Sequence, residues 1–491
     1  MTMSRLRRPR AGGAAAALVS AAWLIATLAC APERPALALA FDGPGRSDAE
    51  AYLEAHPLPP GVALAAEGRA GPAEAVLRAE LVRGGAVPVD GAPKVVIRRW
   101  LAAPLPFAAG PLGYADAAAA EAAAPLVGVD GLGPDRRAAP VAGLLPGQDG
   151  YPLAEELYLR LEGEPSAELR AWFQALPEPA AGPAVIGAAG DMIVHRSRQG
   201  PIIDADGDPG LVFGDALGAL SRFHYLIGNL EAPVSERGAA NPIKRYQFRL
   251  HPKVLKAFAA AGFDHLSFAN NHTLDYGPDA FVDTLDWLDR LGVHRSGAGR
   301  DLAEAAAPLR VGVAGLPVSV LAAAFYPVES RGYSPAHAAA GPSSPGILTD
   351  AAALKARIAR ERAEGRFVVV LPHAGFEYVP TPAPAIRALY RSFAEAGADL
   401  VLGTHPHVIQ GLERYGRATI AYSLGNFVFI GLGEEAPAQR SGIFSFAVYG
   451  GSVIGYNFIP VTAGDDSSFL SRDAAEAASY FMGLTEALAR E

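Results

Sequence analysis

Ser267-Phe268-Ala269-Asn270-Asn271-His272-Thr273-Leu274-Asp275-Tyr276-Gly277 is the stretch on which the fold turns. It follows an apolar segment, Phe263 to Phe268, and leads into Gly277-Pro278, a helix start. Asn271 and His272 therefore stand where a buried strand hands over to a helix. In open α/β sheets that carboxyl edge is where ligands bind. An Asn carbonyl oxygen and a His nitrogen are both metal ligands, and His is also the commonest proton donor in catalysis.

The same arrangement, an apolar strand ending in polar donors, recurs on either side. Strands are expected over Ala184–Ala188, Tyr225–Ile227, His265–Phe268, Val311–Ala314, Val318–Ala323, Phe367–Leu371, Leu400–Leu402 and Thr419–Tyr422. Helices are expected over Pro252–Ala261, Asp279–Leu291, Ala351–Glu364 and Ala385–Ala396, each with apolar residues at helical spacing and each followed by glycine. Such alternation predicts an α/β fold with largely buried strands. Ile443–Ile459 alternates without helices and reads as antiparallel, and Ala474–Arg490 reads as a surface helix at the C-terminus.

The strand ends collect Asp191, then Asn229 and Glu231, then Asn271 and His272. They continue with His373 and Glu377, His405 and His407, and Asn426. A sheet edge this polar is costly to bury unless something pairs its groups, and a divalent cation pairs them together. Mixed oxygen and nitrogen donors without thiolates suit Mn, Zn or Fe rather than Ca. In extended chain His405 and His407 would project to one side, because side chains alternate.

Six motifs in order, Gly190-Asp191-Met-Ile, Asn229-Leu-Glu231, Ala269-Asn-Asn-His272-Thr-Leu-Asp275-Tyr-Gly277, His373-Ala-Gly-Phe-Glu377-Tyr378, Gly403-Thr-His-Pro-His407-Val-Ile-Gln410-Gly411 and Tyr422-Ser-Leu-Gly-Asn426-Phe427, resemble the CapA family. These are the poly-γ-glutamate capsule biosynthesis proteins, relatives of the calcineurin-like metallophosphoesterases. The resemblance implies a four-layer α/β/β/α domain over 184–464 with a divalent metal centre of one or two ions at the sheet edge. Residue by residue, it implies Asp191 as a ligand of the first metal and Glu231, or else Asn229, in place of a bridging aspartate. Asn271, His373 and His405 would hold the second metal, and His407 would complete the first. His272 would be the general acid, Asp275 would fix its loop, and Glu377 and Asn426 would support the ligands from behind.

Two positions depart from the phosphoesterase pattern. Ile193 stands where a histidine is wanted, with His195 two residues beyond it, and Asn229-Leu-Glu231 replaces the bridging aspartate. A single ion, or two of unequal affinity, follows from that. The implied activity is metal-dependent hydrolysis of a phosphoester in cell-surface polymer synthesis; the alternative is a non-enzymatic capsule assembly or export factor on the same fold. Lys244, Arg245 and Arg249 follow Glu231 and are placed to meet an anionic small-molecule or polymer substrate. His224, His251, His265, His294 and His337 belong to none of these motifs and read as structural or surface histidines.

The rest of the chain reads as an exported, tethered protein. Arg5, Arg7, Arg8 and Arg10 precede the apolar run Ala14–Ala29, as in a secretory signal. Thr27-Leu-Ala-Cys30 resembles a bacterial lipoprotein signal in which Cys30 is lipidated and anchors the chain to the membrane; cleavage after Ala38-Leu39-Ala40 is the alternative. Residues 1–30 are thus expected as signal, 31–60 as tether, 61–180 as a small α+β module, and 471–491 as the terminal helix. Within the module, Val95–Trp100 and the segment around Tyr158 read as strands, Ala115–Ala124 and Glu168–Leu176 as helices. The formal net charge of −9 argues against a nucleic-acid partner, whose binder would be basic. Hydrophobic residues make up 50% and charged residues 19%, enough apolar side chain for a sizeable core and too little charge for global disorder.

Overall fold

The structure, a computed structural model, describes residues 182–433 and 436–490, and separate pieces of the preceding chain between 36 and 176. The export signal, Cys30 and the expected helix Ala115–Ala124 lie outside the described residues. Two compact units divide the chain. One is Met1–Leu81 with Val89–Val96 and Leu157–Glu178; the other is Val82–Pro88, Ile97–Glu156 and Pro179–Glu491.

In the first unit the strand Ala36–Asp42 runs parallel to Ala63–Ala65 and to Ala75–Arg83. Helix Arg46–Ala55 follows that first strand. This corrects the reading of 31–60 as a tether: Ala36–Phe41 is an unbroken apolar run, and such a run pairs into a sheet rather than staying solvated. Helix Ala167–Ala175 buries Leu169 and Phe173, as its spacing predicts. Trp172 Nε1 donates to the carbonyl of Pro57 at 3.0 Å.

Among its described residues from 182 on, the second unit holds two large sheets and a two-stranded one that pairs Ala298–Gly299 with Gly346–Ile347. The elements that build the large sheets and their cover are, in chain order, β1 Ala184–Val194, β2 Tyr225–Leu230, α1 Pro252–Ala260, β3 His265–Ser267, α2 Gly277–Leu291, β4 Leu309–Val313 and β5 Leu316–Phe325. Then come α3 Ala351–Ala363, β6 Phe367–Ala374, α4 Pro384–Ala396, β7 Leu400–Leu402, β8 Leu412–Tyr415, β9 Ala418–Ala421 and β10 Asn426–Ile430. The chain closes with β11 Arg440–Tyr449, β12 Ser452–Ala463, β13 Ser468–Leu470 and α5 Ala474–Arg490. The first sheet has the order β3-β2-β1-β11-β12-β13, with β10 also on β1; the second has the order β4-β5-β6-β7-β9-β8. β3, β2, β1 and β10 are parallel, as are β5, β6, β7 and β9. β11 and β12 form the expected antiparallel pair.

The layers follow from which side chains share a core. Val320, Ala322, Val369, Leu371, Leu400 and Leu402 join Ile186, Ala188 and Leu226 of the first sheet in one buried cluster, together with Phe258 of α1 and Phe281 and Leu285 of α2. The intervening residues Leu321, Ala323, Val368, Val370 and Val401 point the other way, into a cluster with Leu354 and Ile358 of α3 and Tyr390 and Phe393 of α4. Alternation along a strand sends successive side chains to opposite faces. The second sheet is therefore covered on both sides, which is the α/β/β/α arrangement. α2 and α4 end on Gly292 at φ 70° and Gly397 at φ 117°, left-handed positions that glycine takes without strain.

α5 corrects the expectation of a surface helix. Its Phe481 is fully buried, stacked on Phe458 at 4.6 Å and edge-on to Phe444 at 5.4 Å between ring centroids. Its sequence carries Ala477, Ala478, Phe481, Met482 and Leu488 as a buried stripe.

Candidate metal centre

β1 runs further than its apolar run, to Val194, and carries Asp191 inside the sheet. Its pairing with β2 shifts register between Ala188 and Asp191. On its other side the neighbour changes there, from β11 along 184–188 to β10 from Asp191 on. Gly190 permits the change: a Cβ on it would sit 1.8 Å from the carbonyl oxygen of Gly425. The break aims Asp191 at the carboxyl ends of the second sheet.

Asn229 lies near the end of β2 and Glu231 just past it; Asn271 and His272 occupy the turn after β3. His373 is near the end of β6, while His405 and His407 lie on the loop after β7. The structure gathers Asp191, Glu231, His373, His405 and His407 into one buried cluster. One ligand atom each from Glu231, His405 and His407 lie within 4.8 Å of one another, and so do those of Asp191, Glu231 and His373. Glu231 is common to both groups.

His405 and His407 do not reach the site by strand alternation. Their φ angles are 99° and 58°, both left-handed. Such a backbone costs a non-glycine residue about 1–3 kcal/mol and is tolerated where surrounding contacts dictate it. Here the His405 N–H donates to Asp191 Oδ2 at 3.2 Å, and the Tyr378 N–H to the Pro406 carbonyl at 2.8 Å.

Each ligand candidate has a definite environment. Asn229 Nδ2 donates to Asp191 Oδ1 at 2.7 Å, and Asn229 Oδ1 accepts from Asn270 Nδ2 at 3.2 Å. Asn229 is thus engaged at both ends of its amide in the hydrogen-bond frame, whereas Glu231 is not. His407 Nδ1 lies 2.9 Å from Asn426 Oδ1 and 3.3 Å from Asp191 Oδ2. Its Nε2 lies 3.8 Å from Glu231 Oε1. His373 Nδ1 faces Thr404 Oγ1 at 3.0 Å, and its Nε2 faces Asn271 Oδ1 at 3.0 Å and Glu231 Oε1 at 3.4 Å. The rings of His373 and His405 are 4.7 Å apart.

Whether a cation fits can be judged from what is left unpaired. Both carboxylate oxygens of Glu231 and both ring nitrogens of His405 are buried without a hydrogen-bond partner among the described residues. Unpaired buried polar atoms of this kind are costly. Burial, and then Asp191, push the Glu231 carboxyl well above the usual carboxylate range. Burial, and then neighbouring imidazoles, push His373 and His405 well below the ordinary histidine value, so both are neutral, the form that binds metal. Burial works against a charge on His407 too, but Glu231 and Asp191 outweigh it and hold its pKa up at about 10. Without an ion, a proton on His407 offsets the buried negative charge beside it. A divalent cation would supply it instead and satisfy the orphaned atoms.

Beside this cluster His272 Nδ1 meets Asp275 Oδ2 at 2.7 Å, and Phe248 packs edge-on against its ring at 4.7 Å. Lys244 is not the substrate-facing cation expected. It is fully buried, with Nζ 2.7 Å from the Asn271 carbonyl and 2.8 Å from Glu329 Oε1. Arg245 is exposed, over the ring of Tyr246, and Arg249 is half-buried over Tyr276. Glu377 is exposed on the loop after β6, where its charge helps raise His407. Ile193 packs with Phe429 and Ala463 in an apolar cluster, and His195 caps a short helical turn through Ser197. His224, His251, His265 and His337 accept from or face backbone and hydroxyl groups elsewhere. His294 faces the Tyr225 hydroxyl.

Sequence reasoning missed Asn270 and Glu329, and it set Thr404 at a strand end without giving it a role. Asn270 adjoins a recognised pair, and its Oδ1 accepts the His272 N–H at 3.1 Å. Thr404 adjoins His405. Glu329 lies in a loop with no pattern to mark it.

The family described as bacterial capsule synthesis protein PGA_cap matches residues 185–430. The PGA biosynthesis protein CapA of Bacillus subtilis (strain 168) is 33% identical over 208 residues, 42% of this chain and 53% of that protein. The capsule biosynthesis protein CapA of Bacillus anthracis is 32% identical over 221 residues, 43% of this chain and 51% of that protein. The chain therefore spans about half the length of these relatives. A 5'-nucleotidase from Candida albicans SC5314 superposes with a TM-score of 0.33 at 12% identity, over 61% of this chain and 57% of its own, a likeness too slight to argue from. No helix among the described residues is long and apolar enough to cross a membrane.

Proposed function

The chain belongs to the bacterial capsule synthesis protein family PGA_cap, and from that premise we propose that it is an exported metal-dependent hydrolase of the phosphoesterase type serving capsule or cell-surface poly-γ-glutamate synthesis. The observation that carries the hydrolase reading is the set of orphaned atoms on Glu231 and His405 inside the ring of Asp191, His373 and His407. A divalent cation, Mn, Zn or Fe, would be held by Asp191, Glu231, His373, His405 and His407, with Asn271 Oδ1 beside them. Bound there, it supplies Lewis acidity toward a phosphoryl or carbonyl oxygen and makes water more acidic.

The chain's own groups do the rest. Asp275 accepts the Nδ1 proton of His272 and so leaves Nε2 as the atom that takes and delivers a proton. Burial lowers the His272 pKa, and Asp275 opposes that fall. An anionic substrate beside the ring would add to Asp275 and favour the protonated form that a leaving oxygen needs. Arg245, with Phe376 and Tyr378 exposed nearby in sequence to the site residues, is available to the substrate. Lipidation at Cys30 would hold the domain at the membrane, beside capsule synthesis or export proteins.

Metal content of the full chain, beside an Asn271→Ala/His405→Ala double variant, tests this. One or two ions per chain, lost in the double variant, together with phosphoester turnover in Mn or Zn, is the expected result. A protein that takes up no metal at any supplied concentration overturns the hydrolase reading. One observation favours the second reading, an assembly factor without turnover: Ile193 is sealed in an apolar cluster where a phosphoesterase keeps a histidine. In that case capsule output in cells should survive His272→Ala.

A further inference from the structure

Glu329 belongs to none of the motifs that mark the site. It lies on the loop after β5, and its Oε1 meets two groups at once: Lys244 Nζ at 2.8 Å and Asn271 Nδ2 at 3.3 Å. Lys244 is itself fully buried. Its Nζ also lies 2.7 Å from the Asn271 carbonyl, 3.2 Å from Asp275 Oδ1 and 4.6 Å from the centre of the Tyr333 ring. One ammonium thus ties the Asn271 backbone, the partner of His272 and Glu329 into a single unit.

The chemistry of that unit fixes an orientation. A side-chain amide has a donating and an accepting end of nearly equal size, and a half-turn exchanges them. A carboxylate only accepts, so the end of Asn271 that faces Glu329 must be its NH2. Oδ1 then faces the other way, 3.0 Å from His373 Nε2 and into the ligand cluster. The NH2 group has no lone pair to offer a cation; Oδ1 does.

We propose that Glu329, held in place by Lys244, is a positioning residue that sets the flip of the Asn271 amide and so presents its carbonyl oxygen to the metal. This rests on the metal-centre reading above. It also accounts for Lys244, whose charge is matched inside the protein and not offered to a substrate.

The test is calorimetric titration of the full chain with Mn2+, for wild type, Glu329→Gln, Asn271→Asp and the double variant. Gln keeps the size of Glu but can offer either end of its own amide, so Asn271 loses its instruction. Glu329→Gln should weaken Mn2+ binding about tenfold, the low end of what supporting groups behind metal ligands are worth. In the Asn271→Asp background, where either oxygen can bind, the same change should cause no loss. A structural or purely electrostatic role would weaken both backgrounds alike, and that result overturns the proposal. So does equal Mn2+ affinity of wild type and Glu329→Gln. A wild-type chain that binds no Mn2+ overturns the metal-centre reading and this one with it. Thermal melting without metal checks that each variant folds, and Asn271→Ala provides the second background should the aspartate not fold.

Discussion

Nδ1 of His272 lies 2.7 Å from Oδ2 of Asp275, within one turn and sealed from solvent. Asp275 is held in its turn: the Phe248 N–H donates to Oδ2 at 2.7 Å, and Lys244 Nζ lies 3.2 Å from Oδ1. The imidazole therefore has a defined tautomer before any substrate arrives. That separates the group proposed to move a proton from the groups that would hold a metal.

His272→Ala should lower kcat roughly 10²–10⁴-fold, the range for losing a general acid. Metal content should not change, since His272 is outside the ligand groups around Glu231. Turnover and metal analysis on the same preparation check this. Unchanged turnover, or loss of metal, would remove His272 from the proton-transfer role.

Glu231→Gln should abolish metal uptake and yet raise the melting temperature measured in chelator. In the metal-free fold the Glu231 pKa stands well above its ordinary value, by burial first and Asp191 second. Its contribution to stability is full below the unfolded carboxylate pKa of about 4.5 and is lost as pH rises through the folded value. The advantage of the neutral Gln should therefore open as pH rises above about 4.5. Melting curves in chelator across that range check it; a wild-type protein more stable than the variant at neutral pH would contradict it.

His265 sets an acid limit away from the metal centre. Burial, with a smaller push from His294, takes its pKa down to about 3. The unfolded chain takes up this proton near pH 6.5, while the folded chain refuses it until about pH 3. Stability from His265 is therefore lost as pH falls between those values, by up to about 1.4 kcal/mol per pH unit. Urea unfolding of His265→Gln between about pH 6 and pH 4 should show a shallower dependence than wild type. Parallel curves would mean that His265 is not buried in its neutral form.

Phe481→Ala should cost about 3–5 kcal/mol, the usual loss for a buried phenylalanine. The ring packs against both Phe444 of β11 and Phe458 of β12. Chemical denaturation checks it. A loss below about 1 kcal/mol would return α5 to the surface position its place at the chain end suggests.

Most of the architecture was legible because its signals are local. Apolar runs, helical spacing and terminal glycines mark α2 and α4 within a residue or two, and Leu400–Leu402 comes out with its observed bounds. The candidate ligands carry local signals too: Asp191 follows the apolar run Ala184–Ala188, and Glu231, His373, His405 and His407 stand at a strand end or within a few residues of one.

What the amino-acid sequence determined by itself is thus the alternation of elements and the chemistry placed at their ends. Tertiary structure alone decided how those ends converge. The switch of partner at Gly190, the left-handed turns at His405 and His407, and the burial of Phe481 each depend on a segment far away in the chain. Lys244 and Glu329 make the point most directly. Read along the chain they are a substrate-facing cation and an unmarked loop acid. Closed against Asn271 and Asp275, each becomes the other's counter-charge, because a buried charge must find an opposite one and only the folded chain brings it within reach.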